Sequence, residues 1–168
     1  MAFTELHAKF DRNGLLNIVF DQFRISRTGF HGPNHWARVK HHALAIGNTR
    51  CADLLVVELF ALLHDSQREN EGIDPGHGDR AADFAAALNL KFYDLKPSQL
   101  DQLCTAIRFH SDGEIHSDPT IQTCWDADRL DMGRIGIKPS TKYLSAEGST
   151  YIESAYEWSI EQNVAGNV

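Results

Sequence analysis

At 168 residues with 42% hydrophobic and 23% charged side chains, the chain is long enough to bury one good core and too short for two ordinary domains. A single domain over residues 1–168 is therefore expected. The net charge of −7 argues against a surface built to grip nucleic-acid polymers, since that affinity comes from clustered Lys and Arg releasing counterions. A small anionic substrate remains compatible, because a bound cation and a few arginines set the local field whatever the net charge.

No apolar run approaches the roughly 18 residues of a membrane span, and residues 1–10 mix charge with apolar side chains instead of forming a signal-peptide core. No membrane association is expected, and the cytoplasm is the default location. Cys51, Cys104 and Cys124 are odd in number and widely spaced among apolar neighbours. They read as small buried residues of a reducing compartment, and without a CxxC there is no support for a thiolate zinc site.

In chain order, residues 4 to about 23 carry a mixed helical pattern interrupted by Gly14, and residues 24–33 have the Gly, Ser and Pro content of a loop. Asn34 can cap a helix from His35 to about Gly47. Residues 53–65 are nearly all apolar, which suits a buried strand or a helix apolar all round, and their length favours the helix. A charged, glycine-containing loop follows at 66–76. The stripe Ala81, Phe84, Ala85, Leu88 predicts a helix over 78–90, and Leu100, Leu103, Ile107 another over 97–110. Asp118-Pro119 is a cap followed by proline at the first helical position, opening a helix to about Met132 that Gly133, Gly136 and Pro139 close. Thr150 to Glu153 makes a capping-box pattern before a terminal helix. The sum is an all-α chain of about six to seven helices.

The chemistry-bearing residues stand at the ends and inner faces of these helices. His64-Asp65 lies where the most apolar helix meets a polar loop, and two ionisable groups there need pairing or a metal to offset burial, unless they are simply a polar helix stop. His35 opens a helix, where a lone histidine would be an ordinary surface residue. In Asp126-Ala127-Asp128-Arg129-Leu130-Asp131, the stripe Ile121, Cys124, Trp125, Asp128 turns Asp128 inward and rotates Asp126 away from that face. His77 and His110 continue two other apolar stripes to their helix ends, where capping or core roles are the bland alternative.

His35, then His64-Asp65, then Asp128, in that order and on helices, resembles the H…HD…D signature of the HD-domain metal-dependent phosphohydrolase superfamily. The contexts His35-x-x-Arg38-Val39, Leu62-Leu63-His64-Asp65 and Asp126-Ala127-Asp128-Arg129-Leu130-Asp131 carry the likeness, which spans about residues 35–136 and leaves both terminal helices uncovered. The resemblance implies one compact helical bundle in which His35, His64, Asp65 and Asp128 hold a divalent metal. Imidazole and carboxylate without thiolate suit Mn, Fe, Co, Ni, Zn or Mg. Such an ion would activate water and neutralise charge on a phosphoryl group of a nucleotide or other small phosphate ester.

Further roles follow from the same likeness. Asp65 would stand at the catalytic centre, with Arg38 and Arg68 as candidates to grip phosphate, each also readable as a solvated surface arginine. Glu69 and Glu71 could orient the attacking water or merely form an acidic loop face. His77 and His110 resemble the extra histidines of two-metal members such as the HD-GYP phosphodiesterases and the diiron oxygenase branch, with Asp65 bridging, although the Gly-Tyr-Pro element is absent. They would line a second metal site or a phosphate pocket. The alternatives to a phosphohydrolase are an HD-fold diiron oxygenase and a metal-stabilised binding or sensory domain without turnover.

Overall fold

The apolar run after Asp53 forms a helix, α3 (Leu54–Leu63), because Asp53 accepts the free N–H groups of Leu55 and Val56, both at 3.1 Å, and because neighbouring helices cover it all round. Every residue from Val56 to Leu63 is buried. The computed structural model describes residues 10–165, and within them the chain is helical, with two isolated bridges at Tyr93 and no strand. Before α3 come α1 (Arg12–Gln22) and α2 (Pro33–Arg50); after it come α4 (His77–Leu88), α5 (Pro97–Phe109) and α6 (Pro119–Leu130). A 3-10 turn (Asp131–Ile135), another (Thr141–Tyr143), α7 (Ala146–Ser149) and α8 (Ile152–Ala165) complete the order. No helix among the described residues is long and apolar enough to cross a membrane.

The architecture follows from where the apolar faces lie. α2 packs on α3 and α6, α4 pairs with α5, and α3 touches α4, α5 and α6, so the HD dipeptide emerges at the middle of the bundle. The main core runs from Leu15 through Trp36, Phe60 and Leu103 to Trp125, and a second cluster of Ile46, Leu130, Leu144, Ile152 and Ala155 seats α8. Each such fully buried large side chain contributes about 1.5–3 kcal/mol relative to exposure. α6 opens as expected, Asp118 accepting from Thr120 and Ile121 with Pro119 at the first position.

Several local expectations are corrected. Gly14 lies inside the first turn of α1, where Asp11 accepts its N–H at 2.9 Å, and residues 4–9 of the expected helix lie outside the described ones. α2 is capped at Gly32, not Asn34, because Pro33 takes the first position, where a missing N–H costs nothing. The helix after Asp118 becomes 3-10 at Asp131 and stops at Gly136 (φ 77°). Thr150 ends α7, donating to the Glu147 carbonyl at 2.7 Å, so the capping box does not form. Of the cysteines only Cys124 is buried; Cys51 is exposed at the left-handed cap of α2 (φ 56°).

Candidate metal centre

Three helices bring the first four residues together. His35 comes from the first turn of α2, His64 and Asp65 from the end of α3, and Asp128 from the last turn of α6. His35 Nε2 lies 3.1 Å from His64 Nε2 and 3.2 Å from Asp128 Oδ1. Asp65 Oδ2 is 3.5 Å from His35 Nε2 and 3.4 Å from His64 Nε2. Both imidazoles are fully buried. Ligands at adjacent corners of one ion, with metal–nitrogen distances of about 2.1 Å, stand about 3.0 Å apart. The cluster has that spacing.

The second pair is built by a close helix approach. His77 begins α4 and His110 caps α5, and Gly78 lets the two ends touch: a Cβ there would lie 2.5 Å from the Arg108 carbonyl oxygen. The His77 and His110 Nε2 atoms are consequently 3.0 Å apart, and they lie 3.5 and 3.7 Å from Asp65 Oδ1. Asp65 thus faces one histidine pair with each carboxylate oxygen. Arg68 Nε also donates to Oδ1, at 2.8 Å, fixing the carboxylate's rotation.

All four rings are oriented from behind. The Nδ1–H of His35 donates to Asp131 Oδ2 at 2.7 Å, and those of His64, His77 and His110 to the carbonyls of Phe60, Asp74 and Ile107. With Nδ1 committed as donor, each neutral ring turns an Nε2 lone pair inward, the tautomer that a metal-ligating histidine adopts. Two lone pairs about 3 Å apart repel, and a shared cation or proton relieves that. The triads His35, His64, Asp128 and His64, Asp65, His110 place ligand atoms within 4.8 Å and could each hold a metal ion.

The field matches the geometry. Burial disfavours charge on His64, yet Asp65 and Asp128 overcome it and push its pKa up to about 10. His35 is raised too, burial and Arg134 being outweighed by Asp128, Asp131 and Asp65. Asp65 and Asp128 are held well below the carboxylate range despite burial, by the histidines they face. His77, by contrast, is lowered by burial and by His110. The first pair lies where positive charge is strongly favoured.

A cavity of about 390 Å³ opens over the cluster, lined by Asp65, Asp128 and His110 and walled by His31, Arg68, Arg129, Arg134, Lys138 and Tyr143. Arg68 is thus on the wall. Arg38 is not a wall residue: its Nε donates to Asp131 Oδ1 at 2.7 Å, behind His35. Glu69 pairs with Arg24 and Glu71 with His31. Asp126, rotated away from the cluster, is not solvated as an outer face would be; it is fully buried against Arg50, Gln122 and Ser145.

The sequence reading missed Asp131, whose signal was its position one turn beyond Asp128, and Arg129, Arg134 and Lys138, which carried none. Tyr143 belongs to the cavity, while α8 packs behind the 3-10 turn.

Comparison with solved structures matches the chain to the crystal structure of a predicted HD superfamily hydrolase from an uncultured Thermotogales bacterium. The two are 26% identical, the match covers 99% of each chain, and the TM-score is 0.69. No family model matches the sequence, and no curated protein matches it. The fold, with His35, His64-Asp65 and Asp128 in H…HD…D order, is that of an HD domain.

Proposed function

We propose that the protein is a metal-dependent phosphohydrolase acting on a nucleotide or other small phosphate ester. His35, His64, Asp65 and Asp128 hold one divalent ion, and His77 and His110 hold a second, with Asp65 between them. The observation that carries this is the convergence of four imidazoles, each anchored at Nδ1, on the two oxygens of one carboxylate, with paired Nε2 atoms at 3.1 and 3.0 Å. Divalent ions so bound supply activated water and charge neutralisation at a phosphoryl group. The side chains provide the rest. Asp131 holds the His35 ring, Arg68 holds Asp65 and presents a guanidinium to the cavity, and Arg129 and Arg134 add positive charge to a wall that would receive an anionic ester. The similarity to a predicted hydrolase supports the same reading.

The test is metal analysis of purified protein beside a phosphatase and nucleotide screen. Two divalent ions per chain, with turnover abolished by a chelator and restored by added metal, is the expected result. Two irons with oxygen consumption and no hydrolysis would replace the proposal with an oxygenase, and full metal without any turnover with a binding or sensory domain.

A further inference from the structure

A fifth histidine stands at the cavity wall without belonging to either pair. His31 sits in the loop between α1 and α2, its carbonyl held by Trp36 Nε1 at 2.9 Å. Its ring centroid is 6.4 Å from that of His35, compared with 5.1 Å within the His35–His64 pair and 4.8 Å within the His77–His110 pair. It is therefore near the cluster but outside its ligand spacing.

What fixes His31 is a carboxylate from the loop after the HD dipeptide. Glu71 Oε2 accepts from His31 Nδ1 at 2.6 Å, joining two loops 40 residues apart. The carboxylate lies directly against the first loop: a Cβ on Gly29 would lie 1.8 Å from Glu71 Oε1, so a larger residue there would have to push the Glu71 side chain aside. Arg134 Nε donates to the Phe30 carbonyl at 2.9 Å and holds the loop from the other side. Glu71 Oε1 is buried with no hydrogen-bond partner among the described residues, so the carboxylate's one such contact is with His31. A carboxylate on Nδ1 selects the tautomer whose Nε2 accepts, the arrangement of a general base. Glu71, Asp65, Arg68 and Arg134 are the charged groups around the ring.

We propose that His31 is the general base of the reaction and Glu71 its positioning residue, a role that rests on the phosphohydrolase reading. As the water oxygen bonds to phosphorus, its proton passes to His31 Nε2. The ester P–O bond breaks with its electron pair on the leaving oxygen, which takes a proton from solvent. The imidazolium, held by Glu71, then returns its proton to solvent, so ester plus water becomes alcohol plus phosphate. Glu71 reaches the water only through His31.

The experiment uses the full chain, metal-loaded, with p-nitrophenyl phosphate as probe. General-base catalysis contributes about 10²–10⁴ in rate, so His31→Ala should lower kcat at least about 100-fold with KM and metal content unchanged, and added imidazole should restore part of it. Glu71→Gln should lower kcat by a smaller factor at unchanged KM, and nitrogen NMR should show His31 leaving its single Nδ1–H tautomer. His31→Gln, with its circular dichroism melt, guards against a variant that fails to fold. An active parent with a His31→Ala kcat within threefold, a change confined to KM, or lost metal overturns the base and leaves the hydrolase reading standing. A metal-loaded parent with no turnover overturns both.

Discussion

The His35–His64 and His77–His110 pairs share an Nε2 spacing, 3.1 and 3.0 Å, and an anchored Nδ1, yet they differ in charge. The first faces Asp65 Oδ2 and Asp128, with Asp131 behind it; the second has the other oxygen of Asp65, which it shares with Arg68. That difference lifts His64 to about 10, against burial, while His77 is pushed down by burial and by its neighbour His110. On the proposed two-metal reading, equal spacing with unequal charge should make the first pair the tighter cation site. The second should fill later and empty sooner.

Removing the shared group breaks both sites at once. Asp65→Ala takes a carboxylate from each pair, and losing a direct ligand should cost more than the 10–100-fold typical of an outer partner. The expected outcome is a folded chain with almost no bound metal and no turnover, whereas His64→Ala, which removes a ligand of the first ion, should lose that ion together with turnover. Full stoichiometric metal in both variants would falsify the assignment.

The next largest effect separates the pairs. His77→Ala combined with His110→Ala should release one of two metals and spare the ion at His35 and His64, which anomalous diffraction from metal-soaked crystals reads directly. Retained metal count with weakened phosphate affinity would instead make the second pair a phosphate pocket. Unchanged count and kinetics would make both histidines structural.

A smaller contrast lies on α6. Asp128→Asn keeps a ligand oxygen but removes its charge, so it should weaken metal binding by at least the ~10-fold typical of an outer partner, read by calorimetric titration. Asp126→Asn should leave the metal in place but lower stability by up to about 3 kcal/mol, since it uncouples a buried carboxylate from Arg50 and Ser145. The reverse pattern would mean that the helix register places the wrong aspartate inward.

The aspartates also mark where sequence reading stops. Asp128 was legible because a helical stripe orients it, and His35, His64 and Asp65 because family order and helix ends coincide. Asp126 was legible as turned away from the cluster but not as buried, because Arg50 lies 76 residues earlier and only the folded chain lays it there. Arg38 was legible as one turn beyond His35, yet its partner Asp131 belongs to α6's continuation. The His31–Glu71 contact joins two loops, which have no periodicity to read. Local helix signals survive in one dimension, whereas buried polar partners from distant segments do not.

A histidine outside both pairs shows what burial does where only one carboxylate, Asp131, opposes it. His42 is buried on α2 beside Trp158 of α8, its Nε2 has no hydrogen-bond partner among the described residues, and its pKa falls from 6.5 to about 4. Burial is the main cause; Asp131 opposes it, and His41, Arg38 and His35 add to it. Because the folded pKa lies below the unfolded one, the unfolded chain binds more protons between pH 6.5 and about 4, so the stability His42 contributes is complete above that window and is lost as pH falls through it. Between pH 7 and about pH 5.5 the loss should be about 1 kcal/mol. Denaturant melts of the metal-loaded protein at the two pH values measure it, with His42→Asn expected to flatten the slope. An equal slope in parent and variant would move the titration elsewhere and leave burial at His42 without thermodynamic consequence.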